Sequence, residues 1–315
     1  MNPVSNVIDS LRVTVPPTGL SLRKRALAWS ALGMLGFSFT LTATRAAVPE
    51  MGGVFVGFGR AVVAAAFALA TIWLWRLPRP SRSQVAPLLR TALGVVVGFP
   101  ALSALALRTA PASHAQVFLG LSPLATALVA ATLGGEKLPS GFWRAATLGG
   151  LSVLLFAWLH TGGQLGSADA LLVLAVALVG LGYAEGGRLA REMGGLGVVC
   201  WALVLALPIT LPVSCWALGD AAWVGHLSLR AALGFGYVSV VSMFLAFVAW
   251  YRGLGMGSVA RISQIQLVMP LLGLLWAALL LGEHLEWTTL LAGALVSLFA
   301  FIGNWRRFSG RSRGA

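Results

Sequence analysis

Ten times along its length this chain runs for about twenty residues with almost no charge, which is the length a helix needs to cross a bilayer core. The runs are approximately 26–46, 52–75, 88–107, 113–133, 143–160, 169–188, 196–217, 230–251, 259–281 and 287–305. The gaps between them are short and rich in Gly, Pro and charged residues. Charged residues make up 10% of the chain and hydrophobic ones 58%. Soluble domains carry roughly 25% charged residues, so this chain is too apolar to cover its own surface in water. The expected fold is an all-α integral membrane protein with ten transmembrane helices. Residues 1–22 and 308–315 read as disordered tails. The first run is too long for the apolar part of a signal peptide and reads as a span.

The net charge of +13 first suggests nucleic acid, but the basic residues gather on no single segment or face. They fill the gaps between runs. With the N-terminus in the cytoplasm, seventeen Lys and Arg fall on the inner side. Only Arg45, Arg108 and Arg230 fall outside, and Arg60 and Arg261 lie within runs. That bias follows the positive-inside rule. It predicts a multi-pass protein of the cell (inner) membrane with both termini cytoplasmic. Cys200 and Cys215 have no metal-ligand neighbours and read as packing residues. No cofactor or metal site is expected.

One phrase is written twice. Pro123 leads through apolar residues to Gly135-Glu136-Lys137-Leu138, and Pro270 leads to Gly282-Glu283-His284-Leu285. Both members of each pair are 147 positions apart (270 − 123 and 283 − 136). Looser echoes link Leu35-Gly36-Phe37 and Arg45 to Leu181-Gly182-Tyr183 and Arg191, and Met51-Gly52-Gly53 to Met193-Gly194-Gly195. Five runs separate the copies. An odd number makes them cross the membrane in opposite directions, so the chain reads as two inverted five-helix repeats, 23–160 and 161–307. Inverted repeats are common in secondary transporters, where a midplane site opens to alternate sides.

Residues 246–296, with Trp250-Tyr251-Arg252, a small-residue turn, Pro270 and Gly282-Glu283, resemble the second repeat of EamA-type permeases of the drug/metabolite transporter superfamily. Residues 106–156 resemble the first repeat, departing at Ser113-His114. The resemblance spans nearly everything outside the tails. It implies a transporter without ATP-binding machinery, with its pathway between the repeats. Such permeases export amino acids or move varied metabolites. The sequence agrees in lacking the phosphate-binding pattern G-x-x-x-x-G-K-[ST].

Ionisable groups at membrane depth suggest function. Arg60 lies about 12 Å into its run at 1.5 Å per residue. It would bind an anionic group, or lock packing through backbone carbonyls. Glu185 would couple protons, or form a helical ion pair with Arg188 three residues on. Gln116, Ser263, Gln264 and Gln266 offer donors and acceptors to a zwitterion, or bond neighbouring helices. Gln264 and Gln266 point to different helix faces. Tyr183, Trp201 and Phe244 are interior enough to line a cavity, though packing serves them equally. Pro123 and Pro270 permit a kink at equivalent points, as hinge or as static shape. Glu136 and Glu283 end their helices and contact a loop. Trp73, Trp75, Trp143, Trp158, Trp250, Trp287 and Trp305 sit where an aromatic belt belongs. His114 opens a run, as a pH sensor or an interfacial residue.

The expected function is a secondary active or facilitative exporter of a small polar metabolite such as an amino acid, with membrane lipid as its surroundings. The alternative is a non-transporting scaffold or receptor-like subunit on the same fold. An intramembrane enzyme would need a nucleophile–base pair or paired carboxylates at depth, and the runs contain no such pattern.

Overall fold

A computed structural model describes residues 19–133, 135, 140–160, 166–219 and 225–309. All regular structure among these is helical. The chain forms α1 (Lys24–Met51), α2 (Gly53–Trp75), α3 (Arg82–Ala106) and α4 (Ala112–Thr132). α5 (Ser140–His160), α6 (Ser167–Gly219), α7 (Leu229–Gly255), α8 (Met269–Leu281) and α9 (Trp287–Ser309) follow. Among the described residues, α1, α2, α3, α4, α6 and α7 are long and apolar enough to cross a membrane. The helix leading into α1 already starts at Gly19, inside the segment expected to be a tail. Leu20, Leu22 and the basic triplet that follows are good helix formers, and long basic side chains can reach back to water from a helix end.

α6 is one 53-residue helical stretch whose ladder breaks at Gly194, with φ 75° and ψ 155°. Gly52, between α1 and α2, has φ 74° and ψ 148°. Only glycine reaches that region without strain. The Met-Gly-Gly echo is therefore one backbone device used twice. Equivalent segments also begin at matched places. Arg82, Ala112, Ser122 and Ser140 open helical segments, and Leu229, Val259, Met269 and Trp287 open theirs 147 residues later. α3 carries a π-helical stretch at Ala92–Gly98 and α7 one at Tyr237–Ala246. Gly135 and Gly282 are both left-handed, at φ 66° and 68°.

The prolines take a place different from a mid-helix kink. α4 is interrupted at Gly120-Leu121, and Pro123 sits in the first turn of the Ser122–Thr132 segment. Pro270 sits in the first turn of α8, after Val259–Ile262 and a 3-10 stretch, Ser263–Val268. A first turn has no N–H to lose, so proline starts the second segment without breaking a bond.

The core lies where small residues let helices meet. Gly36 of α1 abuts Ala246 of α7, and Gly182 of α6 abuts Val95 of α3. Their echo partners Phe37 and Tyr183 face each other with ring centroids 6.1 Å apart. Trp73, Trp143, Trp158 and Trp287 are exposed, as a lipid-interface belt requires. Trp250 is not part of that belt. It is 0% exposed and packs on Phe37 and Tyr183. Its place near a run's end suggested the interface, but Gly33 admits the α7 backbone to close contact at this point. Trp201 bonds the Pro78 carbonyl at 2.9 Å, and Phe244 is core. Neither carries the polar geometry described next.

Candidate functional site

Buried polar side chains from four elements converge inside the helix assembly. Arg60 of α2 is 1% exposed, and its Nε and Nη1 meet no hydrogen-bond partner among the described residues. Its electrostatic neighbour is Tyr183 of α6. The Tyr183 side chain reaches Gln266, on the 3-10 stretch before α8. The Ser122 hydroxyl of α4 donates to Gln266 Oε1 at 3.0 Å, and Gln266 Nε2 is left unpartnered. Gln116 is fully buried against Gly273. Its Nε2 makes a long 3.4 Å bond to the Ser38 carbonyl, and its Oε1 has no partner. The Trp276 indole N–H donates to the Ser38 hydroxyl at 3.1 Å. Ser263 is buried nearby in sequence; the Gln264 side chain lies outside the described residues. Unpaired buried polar groups cost about 1–3 kcal/mol each, and this region holds four such atoms on three of the described residues.

At the helix ends, charged side chains are held in pairs. Glu185 is 4% exposed and held by two arginines, with Arg90 Nε at 3.0 Å and Arg188 Nη2 at 3.1 Å. The Arg188 pair was expected from spacing. Arg90, 95 positions away in sequence, was not. Glu192 extends the group to Arg188 and to the Gln84 amide.

At the opposite end, Glu283 accepts from the amides of Ala112 and Ser113 at 2.8 and 2.9 Å. The Gly-Glu motif after α8 thus caps the start of α4, where an anion meets free N–H groups and the helix dipole. Glu136 lies outside the described residues. His114 Nε2 meets Asp169 Oδ1 at 2.7 Å, and its ring packs on Phe118 and Phe156. It is buried rather than interfacial, and the aromatic enclosure is the reason. Asp169 opens α6 and Glu185 lies sixteen residues along it, so the two paired groups are roughly 24 Å apart.

The echoed arginines repeat a function too. Arg45 Nη1 donates to the carbonyls of Leu107 and Arg108 beyond α3. Arg191 Nη2 donates to the carbonyl of Gly257 beyond α7 at 3.0 Å. Both satisfy carbonyls that a helix end leaves free. In the Trp250-Tyr251-Arg252 motif, the Tyr251 hydroxyl donates to the Gly182 carbonyl at 2.9 Å. Arg252 lies over the Trp29 ring at 4.3 Å. These motif residues tie α7 to α6 and to α1, and none is in the central cluster. Sequence reading named most of the cluster but missed Ser122. Its signal was its place beside Pro123, six residues beyond Gln116.

A multi-pass helical membrane protein with unspent polar groups buried between two like-built halves has the form of a transporter. The family comparison agrees, since residues 24–158 and again 166–305 match the EamA-like transporter family. The chain belongs to that family, and so to the drug/metabolite type of transporter, with a small-molecule substrate and a membrane setting. It is 40% identical over 278 residues to a protein of Bacillus subtilis (strain 168) named Uncharacterized transporter YdeK, covering 88% of this chain and 96% of that one. A crystal structure with 20% identity aligns over 90% of this chain and 98% of its own at a TM-score of 0.61, a likeness of fold.

Proposed function

We propose that this protein is a secondary active or facilitative transporter that exports a small polar metabolite such as an amino acid. It works by alternating access between two inverted five-helix halves, 23–160 and 161–307. Counting α6 as two crossings hinged at Gly194 gives ten crossings, five in each half. Both termini then face the cytoplasm of a cell (inner) membrane protein. The contacts support this threading. Arg90 and Glu185 must share one face, while Ala112, Asp169 and Glu283 must share the other.

The observation that carries the proposal is the central cluster. Arg60, Gln116 and Ser122 come from the first half, and Tyr183 and Gln266 from the second. A solute bound there bridges the halves. Gln266 Nε2 and Gln116 Oε1, without close hydrogen-bond partners among the described residues, offer it a donor and an acceptor. A solute that takes them recovers the hydrogen bonds it left in water.

Pairs between the halves stand at both ends. Arg90–Glu185 joins them at the proposed inner face. Glu283 on the α4 amides and His114–Asp169 join them at the proposed outer face. Opening toward either side requires one set to part while the other holds. Glu185, held by two arginines, and His114, on Asp169, are the proposed coupling groups. Pro123 and Pro270, in the first turns of Ser122–Thr132 and Met269–Leu281, are the proposed hinge points.

The test is efflux and uptake of labelled amino acids and other small polar metabolites in vesicles carrying the full chain, with and without a pH gradient. Transport of one chemical class above empty vesicles is expected. Folded protein that moves nothing across a broad panel would favour a scaffold.

A further inference from the structure

Arg60 differs from the other arginines that the structure describes in detail. Arg45, Arg191 and Arg230 donate to backbone carbonyls. Arg90 and Arg188 hold a carboxylate, and Arg252 lies on an indole. Arg60 is 1% exposed, yet Nε and Nη1 of its guanidinium have no partner among the described residues. A guanidinium keeps its proton in proteins. A buried positive charge therefore acts on Tyr183, whose side chain in turn meets Gln266. Each of the three carries N–H or O–H donors.

We propose that Arg60, with Tyr183 and Gln266, forms a carboxylate site, and that every substrate must present one carboxylate to it. This rests on the transporter reading and narrows it. A carboxylate has only acceptors, so it suits a set of donors, and guanidinium–carboxylate pairing is strong in a buried setting. One fixed positive charge balances one carboxylate. A doubly charged phosphate would leave excess negative charge at depth, and the other arginines just named are already engaged at helix ends. An amine or quaternary ammonium lacking a carboxylate meets like charge without compensation. The site thus selects monocarboxylates and amino acids, and rejects organic cations.

The experiment is thermal unfolding of the purified full-length protein in detergent with matched probes at millimolar concentration. Leucine is compared with leucinamide and 3-methylbutylamine, lactate with lactamide, and further small amino and hydroxy acids with their amides. Carboxylates are expected to raise Tm and their amides not. Arg60→Gln is expected to weaken carboxylate binding roughly hundredfold. The wild-type comparison stands alone should that variant fail to fold. Equal shifts from acids and amides, no shift from any carboxylate, or an unchanged affinity in folded Arg60→Gln would each overturn the proposal. Parallel flux separates it from the wider reading. Transport of a solute lacking a carboxylate sinks this site assignment but keeps the transporter. Carboxylates that bind but never cross support the site and sink the transport proposal.

Discussion

The centre of the molecule and the ends of its helices use the same polar residue types to opposite effect. At the ends, Glu283 has two amides, Glu185 has two arginines, His114 has Asp169, and Glu50 accepts from the backbone and hydroxyl of Ser228 before α7. At the centre, Arg60, Gln116 and Gln266 each keep hydrogen-bonding atoms without partners. Glu185 and His114 at the ends are buried like the central groups, so burial alone does not separate the two regions. Pairing does. A paired group stabilises one arrangement of helices. An unpaired one lowers the stability of the empty protein and is available to a ligand, which is how functional groups depart from the rules that govern the frame.

The sharpest way to break this contrast is to make a central group apolar. Gln266→Leu removes an amide whose Nε2 has no partner among the described residues, and also the acceptor of the Ser122 hydroxyl. Transport efficiency should fall roughly tenfold to hundredfold, the value of a hydrogen bond to a charged or polar solute, while Tm changes little because the two stability effects oppose each other. A drop in Tm with flux intact would place Gln266 in the frame.

Frame substitutions should do the reverse. Gly52→Ala and Gly194→Ala each force a side chain into a glycine-only conformation, and no atom lies within 4 Å of either added Cβ. Each should cost about 2 kcal/mol of backbone strain, read by thermal unfolding. Similar losses sharpen the case for equivalent halves, and a loss at one site alone would break it. Glu185→Gln should cost about 2 kcal/mol, because the carboxylate is buried while both arginine partners are about half exposed and screened. A double-mutant cycle with Arg90→Ala isolates the pair joining the two halves. Glu283→Gln should cost the least, about 1 kcal/mol, since the amide oxygen still accepts one α4 N–H but the charge at the helix start is gone.

The long apolar helices were legible because lipid imposes one strong rule, about twenty apolar residues per helix. The repeat was legible as spelling, and Gly52 and Gly194 show what the spelling encodes. Arg60 stood out as the deepest charge, although only the structure leaves it without partners. Partners far apart in sequence were not legible. Nothing near Glu283 points to the Ala112 and Ser113 amides, and nothing near Glu185 points to Arg90, because helix packing brings these together and pattern does not. Trp250 was misplaced for the same reason. Position along a run locates an interface, but whether a ring meets lipid or core depends on what packs beside it.

The most direct measurement introduces Ser122→Cys, beside Gln266 in the cluster, into a chain with Cys200 and Cys215 replaced by alanine. A small membrane-impermeant thiol reagent is then applied to right-side-out and to inverted vesicles. Alternating access through a central site predicts labelling from both faces, slowed from both by a transported solute. Labelling from neither face, or from one face only and unaffected by any solute, would contradict it.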